Sequence, residues 1–238
     1  MSQPLPPWLT WLETCDSTNT WALRHANSLY HGQVIYTRNQ THGRGQYGRQ
    51  WRSGGFTASF VVTASPAIVA PSLVAGLAVV QAVESVVPSL QQQLQLKWPN
   101  DVMAQGKKLA GLLCEHHQGW LVVGVGLNLS KDELPQAISL QTLVAEATAL
   151  PTELDLLMAI REELLWCWES SIDWLSAVSQ RDFLRGRAIK VTEVTQQQKI
   201  APALWQGEGA GINTKGHLQL RLAGGEVVTV ASGHIIYE

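Results

Sequence analysis

From Gln40 to Trp51 the chain reads Gln-Thr-His-Gly-Arg-Gly-Gln-Tyr-Gly-Arg-Gln-Trp, with three glycines set among two arginines. Gly43, Gly45 and Gly48 can adopt positive φ and admit a close neighbour, and the planar forks of Arg44 and Arg49 suit a carboxylate or a phosphate. Such a stretch can hold an anion, although a solvated loop or a nucleic-acid contact can use the same residue types. Upstream, Asp16-Ser17-Thr18-Asn19 offers four candidate N-caps, whose hydroxyls and amide could instead bind a polar head such as a ureido or amide group. Downstream come Lys97-Trp98-Pro99-Asn100-Asp101, Lys107-Lys108-Leu109-Ala110-Gly111 and Gly124-Val125-Gly126-Leu127-Asn128.

The elements that must position these residues follow from apolar periodicity and turn residues. A helix is expected from the Ser17 region to about Leu29, a strand over Val34–Asn39 and a buried strand over Thr57–Ala64. A helix apolar nearly all round runs from Pro71 to Val87 and belongs inside. Short strands over Leu94–Trp98 and Val102–Ala104 precede longer ones over Lys107–Glu115 and Trp120–Leu129. Gly111, Gly124 and Gly126 in the two long strands suggest a cleft floor. The pattern then turns helical, with a short helix from Ser139 to about Ala149 and a longer one opening at a Thr152/Asp155 capping box. Its stripe of Leu156, Ile160, Leu164, Cys167 and Trp168 is core packing. Beyond a composition break at Gln180–Gly186, short strands over Ala188–Thr195, Ala203–Ile212, His217–Leu222 and Glu226–Ala231 imply a small barrel. The division expected is therefore 1–185 and 186–238.

Charged residues are 15% and hydrophobic residues 45% of the 238, a composition that folds and buries a core. Lys plus Arg is 17 against Asp plus Glu 19, which argues against a protein that coats nucleic acid. Cys15, Cys114 and Cys167 show neither disulfide nor metal spacing, so a reducing cytoplasm fits best and no metal ligands are assigned. The N-terminus lacks a secretory pattern, and polar residues interrupt the apolar run at Ala67–Val87, so no membrane span is expected.

In their order, the Ser17-Thr18-Asn19, Gln40–Trp51, Lys97–Asp101, Lys107–Gly111 and Gly124–Asn128 motifs closely resemble those of the biotin protein ligases. The resemblance runs from about Thr14 to Leu129, and the small barrel is similar too. It implies an α/β (α+β) fold, with a mixed-sheet catalytic domain related to class II aminoacyl-tRNA synthetases and lipoate ligases, followed by an SH3-like β-barrel. It also implies two steps: biotin and ATP give biotinyl-5′-AMP, and a lysine of a biotin carboxyl carrier protein then takes the biotin. A lipoate or octanoate enzyme of the same fold and a nonenzymatic biotin sensor are the alternatives.

The implied chemistry brings a carboxylate against a phosphate, and cations touching both must offset the repulsion. By resemblance, Arg44 and Lys108 do so, with Lys108 bridging carboxylate and α-phosphate. Ser17, Thr18, Asn19 and Gln40 take the ureido end, Gly111 and Gly124 give the ring room, and Gly43, Gly45 and Gln46 complete the biotin site. Arg49, Trp51, Asn100 and Asn128 serve ATP, with Mg2+ held mostly by phosphates and water. A lysine amine of pKa roughly 10.4 costs about 4 to 5 kcal/mol to deprotonate at pH 7, which makes Asp101 the candidate for orienting or deprotonating it. Asp101 could equally be a turn carboxylate alone. Lys97 reads as an edge-of-strand charge, and His42, His116 and His117 as structural or solvated.

Only about sixteen residues precede Ser17, too few for the helix-turn-helix domain of some relatives, so no direct DNA binding is expected. Edge strands and an apolar surface could support a homodimer. Gln46 occupies a position that is often arginine in this pattern. Gln46→Arg should slow release of biotinyl-5′-AMP, which a measured dissociation rate equal to or above that of the parent chain would refute.

Overall fold

The computed structural model describes residues 4–51, 55–130, 135–144, 149–192 and 205–237. Strands β1 (Leu9–Trp11), β2 (Val34–Thr37), β3 (Phe56–Thr63), β4 (Gln95–Lys97), β5 (Asp101–Ala104), β6 (Lys107–His117) and β7 (Trp120–Leu127) build one sheet. Their order is β1-β2-β3-β7-β6-β5-β4. β1 runs parallel to β2, and the remaining pairs are antiparallel. β3 is buried along its length except at Thr63, as its near-continuous apolar run requires of a central strand.

Helices of opposite character cover the two faces. α1 (Thr18–Arg24) and the turn after it press Ala22, Ala26 and Leu29 onto Ile35, Val61 and Val122. On the other face lies α2 (Pro71–Val86), with Pro71 in its first turn and Leu73–Val80 all buried. α3 (Leu140–Leu143) is short, and α4 (Glu153–Glu169) packs along α2. The Thr152/Asp155 box caps α4: Thr152 Oγ1 accepts from Asp155 N at 3.1 Å and Asp155 Oδ2 accepts from Thr152 N at 2.9 Å. Leu156, Ile160, Leu164 and Cys167 are buried as expected, and Trp168 is half-buried against them.

Several boundaries differ from the sequence expectation. α1 ends at Arg24, and Ala26–Ser28 forms a 3-10 turn, where Ser28 Oγ donates to the His25 carbonyl at 2.9 Å and competes with helical pairing. α3 stops short of Ala149 because Val144 is extended. α5 (Trp174–Gln180) fills the segment before the composition break, capped by Asp173 accepting from Ser176 N. Residues 145–148 and 193–204 lie outside the described residues, so the strand ends expected at Thr195 and Ala203 do too.

A second, antiparallel sheet contains β8 (Ala188–Thr192), β9 (Trp205–Ile212), β10 (Leu218–Arg221), β11 (Val227–Val230) and β12 (His234–Tyr237), ordered β11-β10-β9-β8-β12. It is the small barrel-like unit expected from the short strands and turns, with β12 added beyond the predicted set. Ile189, Val191, Leu218 and Leu220 join the same apolar cluster as Val79 and Leu96, so the two sheets share a core. Trp98 Nε1 donates to the Gly216 carbonyl at 3.0 Å, and Leu96 N and Arg181 O pair at 2.7 Å.

The junction also holds an ion pair. Arg181 donates through Nη1 and Nη2 to Glu84 at 2.7 and 2.8 Å, and the Glu84 side chain is only 7% exposed. Removing one partner strands the other charge in a dry setting. Glu84→Ala should lower the unfolding free energy by about 3 kcal/mol, read from the urea midpoint at unchanged m.

Candidate active site

The sheet register sets the site. Lys97 pairs with Asp101, Asp101 with Gly111, Gly111 with Gly126, and Gly126 with Thr57, a row crossing β4, β5, β6, β7 and β3 on one face. Two residues along the strands, about 7 Å away at the usual rise, Leu113 pairs with Gly124 and Gly124 with Ser59. The next row pairs Glu115 with Val122 and Val122 with Val61. Lys108 would face away by simple alternation. A bulge pairing Val102 with Ala110 but Met103 with Lys108 restores it, and its Nζ comes 2.8 Å from where a Gly111 Cβ would stand.

Two peptide segments are laid over these rows. Thr41 N donates to the Cys15 carbonyl at 2.9 Å and His42 N to Asp16 at 2.8 Å, which ties the Gly/Arg loop to the entrance of α1. Trp51 N returns to the Gly43 carbonyl at 2.9 Å and closes the loop. Gly43 is there for close approach, since a Cβ would lie 2.4 Å from the Trp51 carbonyl oxygen, and it does not line the main cavity. Of the three glycines able to adopt positive φ, Gly48 alone does so. The left-handed positions are Tyr47 (φ 57°) and Gly48 (φ 72°), and Gly45 is extended at φ −120°.

Between the loop and the sheet is a cavity of about 490 Å³. Ser17, Thr18, Asn19, Gln40, Arg44, Gly45, Gln46, Arg49, Trp51, Asn100, Asp101, Lys108, Gly111, Gly124 and Asn128 all line it, so apart from Gly43 the predicted residues converge. At one end Gln40 Oε1 accepts from Thr18 N at 2.8 Å, and Ser59 Oγ lies 2.7 and 2.6 Å from Thr18 Oγ1 and Asn19 Oδ1. Ser17 accepts from Thr20 N as N-cap, and Ser17, Thr18 and Asn19 line the cavity as well. A Cβ on Gly124 would stand 2.5 Å from Asn19 Oδ1, and one on Gly126 2.2 Å from the Trp51 ring. Glycine floors both places because side chains from above occupy them.

At the other end sit the charges. Lys108 Nζ is 2.6 Å from Asp101 Oδ1 and Lys97 Nζ 3.6 Å from Oδ2, so one carboxylate holds two ammonium groups. Arg44 stands apart from these, paired with the Glu115 oxygen that also binds Asn19. Burial pushes the Lys97 ammonium below its usual pKa, Asp101 opposes this, and Lys108 and Arg49 add to it. Asn100 and Asn128 have their amide N–H groups committed to backbone: Asn100 to Leu112 O at 2.6 Å, Asn128 to Lys108 O at 3.1 Å and Ile138 O at 3.3 Å.

Sequence reasoning missed four residues. Lys97, set aside as an edge charge, lines the cavity with its side chain 14% exposed and its Nζ 4.8 Å from the Tyr237 ring centroid. Its spacing to Asp101 across a two-strand turn was the available signal. Ser59 is the cross-strand partner of Gly124, and Glu115 follows Gly111 on the same face at period two, once strand pairing is known. His234 comes from β12, and nothing in the sequence points to it. Its ring Nδ1 is 3.5 Å from Arg49 Nη2, and burial, with Arg49 and Lys97 nearby, lowers its pKa.

A glycine-floored cleft with a polar amide-and-hydroxyl end and a cationic end, on a mixed sheet, defines a ligase-type site that can bring a carboxylate to a phosphate. Comparison with known proteins agrees. Residues 11–132 match the biotin/lipoate A/B protein ligase family. The chain is similar to the biotin–[acetyl-CoA-carboxylase] ligase of Mycobacterium tuberculosis, 31% identical over 217 residues that cover 87% of this chain and 79% of that one. The Paracoccus denitrificans enzyme of the same name is 29% identical over 239 residues, 93% and 97% of the two chains. Among solved structures, the biotin protein ligase from Aquifex aeolicus in complex with biotin and ATP aligns over 97% of this chain and 98% of that one, at TM-score 0.76 and 26% identity. The chain belongs to the biotin/lipoate A/B protein ligase family, on its biotin protein ligase side.

Gly124→Ala should drive Asn19 off the floor and raise the biotin KM at least about tenfold, the loss of roughly one bidentate contact. A KM within twofold of the parent would show that this end of the cavity is not where biotin binds.

Proposed function

We propose that the chain uses ATP to convert biotin to biotinyl-5′-AMP in this cavity and then transfers the biotinyl group to a lysine of a biotin carboxyl carrier protein. The observation that carries this reading is the single sheet face on which Lys108, Asn19 and Trp51 stand over Gly111, Gly124 and Gly126, in a cavity that Arg44 also lines. The ureido head lies among Ser17, Thr18, Asn19 and Gln40. The carboxylate oxygen attacks the α-phosphorus between Arg44 and Lys108, and pyrophosphate leaves toward Arg49 and Lys97. Trp51 packs against the nucleotide, and its buried Nε1–H has no partner among the described residues.

Asp101 then takes a part in the second step. Its Oδ1 holds Lys108. Once Lys108 turns to the phosphate, a carboxylate oxygen is free to accept the proton of the incoming lysine ammonium. The neutral amine attacks the acyl carbon, and AMP leaves as the amide forms. Magnesium enters as MgATP. Asp101 is the one carboxylate among the cavity's described lining residues and is shared by two ammonium groups, so the protein offers no cage for the ion. Division at 185/186 into a catalytic unit and a barrel is the reading the two sheets support, and a homodimer through an edge strand is compatible with it. No described helix is long and apolar enough to cross a membrane.

The test mixes the protein with biotin, MgATP and a carrier domain and looks for a biotinylated lysine by mass. The expected product is a single acylated carrier lysine. No product from a folded preparation, or lipoate replacing biotin at equal kcat/KM, would overturn the assignment. Lys108→Ala should reduce the adenylation rate about 10²- to 10³-fold while leaving the fold intact, as removal of a transition-state charge contact does.

A further inference from the structure

Glu115 is a half-buried carboxylate that the proposed reaction does not use. It lies on β6, on the face of Gly111 and Leu113, in the row with Val122 and Val61. Its Oε2 accepts from Asn19 Nδ2 at 2.8 Å and also pairs with Arg44. Asn19 is 2% exposed, and its amide is fully committed: Oδ1 accepts from Ser59 Oγ at 2.6 Å, and Nδ2 also donates to the Leu113 carbonyl at 3.0 Å. A continuous chain of hydrogen bonds thus runs from Ser59 through Asn19 and Glu115 to the Arg44 guanidinium.

The direction of approach matters. Glu115 is absent from the lining of the main cavity, whereas Arg44 lines both that cavity and a second one of about 680 Å³ behind the loop, bounded by His42 to Gln50 and Leu113 to Glu115. Glu115 engages the guanidinium through Nη2, and its other N–H groups have no bond among the described residues and can meet an anion. Arg44 has a side chain 43% exposed and a glycine on either side in the chain, and without the carboxylate it would spread over many rotamers. An ion pair this exposed adds little to global stability. Its effect lies in preorganisation.

We propose that Glu115 is a positioning residue that fixes the Arg44 guanidinium and couples it to Asn19, so that filling the ureido end sets the orientation of that cation. This rests on the role of Arg44 given above. Glu115→Gln keeps an acceptor for Asn19 and loses the charge that holds Arg44; Glu115→Ala loses both; Glu115→Asp keeps the charge but shortens its reach.

The experiment is single-turnover formation of biotinyl-5′-AMP by the full chain from biotin and MgATP, alongside biotin binding and thermal unfolding. Glu115→Gln should form the adenylate at least tenfold more slowly, with biotin affinity within threefold of the parent and an unchanged unfolding midpoint. Glu115→Ala should weaken biotin binding as well, and Glu115→Asp should recover part of the rate. In an Arg44→Ala background, Glu115→Gln should cost nothing further. A parental adenylation rate in Glu115→Gln, or an equal loss with and without Arg44, overturns the coupling. A parent chain that forms no adenylate at all would instead remove the reading on which the inference stands.

Discussion

The register that sets Gly111 against Gly126 is the constraint on which the rest depends. Two strands in the middle of a sheet meet without side chains at the point where a helix start and a loop lean over them. A methyl group on either β7 glycine would collide with Asn19 or with the Trp51 ring, at 2.5 and 2.2 Å. Those two residues come from segments far apart in sequence, and the bare floor lets both reach the same depth. The same floor gives the site its two ends, because the Gly124 row lies two residues from the Gly126 row and each sits beneath a different polar group.

Charge neutralisation follows from that geometry. Cations placed to receive anions repel one another when the cavity is empty, and burial adds a desolvation cost that lowers the Lys97 pKa. The chain supplies its own carboxylates: Asp101 between Lys97 and Lys108, and Glu115 beside Arg44. The two differ in what happens when a ligand arrives. Asp101 stands inside the cavity and, on the proposed reaction, yields Lys108 to an incoming phosphate. Glu115 stands behind the loop and can keep its partner.

Much of this was legible in the sequence, because glycine, arginine and the Ser-Thr-Asn cluster are residue types whose use is narrow. The Gly/Arg loop, the floor strands and the Thr152/Asp155 cap were all readable from local pattern. What local pattern could not supply was pairing. Ser59 and Glu115 look like ordinary strand residues until the register sets Ser59 beside Gly124 and Glu115 one row from Gly124 and two from Gly111. The β6 bulge is equally silent, yet it decides which way Lys108 points. The end of α1 was misjudged because Ser28 and its neighbours bond their own backbone, a competition that apolar spacing does not reveal.

The C-terminal sheet illustrates the same limit with more consequence. Read alone, its short strands imply a separate appendage. In the fold, β12 delivers Gly233, His234 and Ile235 to the cavity wall, and Tyr237 lies against Lys97. Trp98, immediately after Lys97, bonds to Gly216 of the turn before β10. The segment carrying Lys97 and Asp101 is therefore held between the two sheets. Motion of the second sheet relative to the first would move Lys97 and Asp101, so the small sheet belongs to the cavity, and its removal would leave the first sheet with one cavity wall missing.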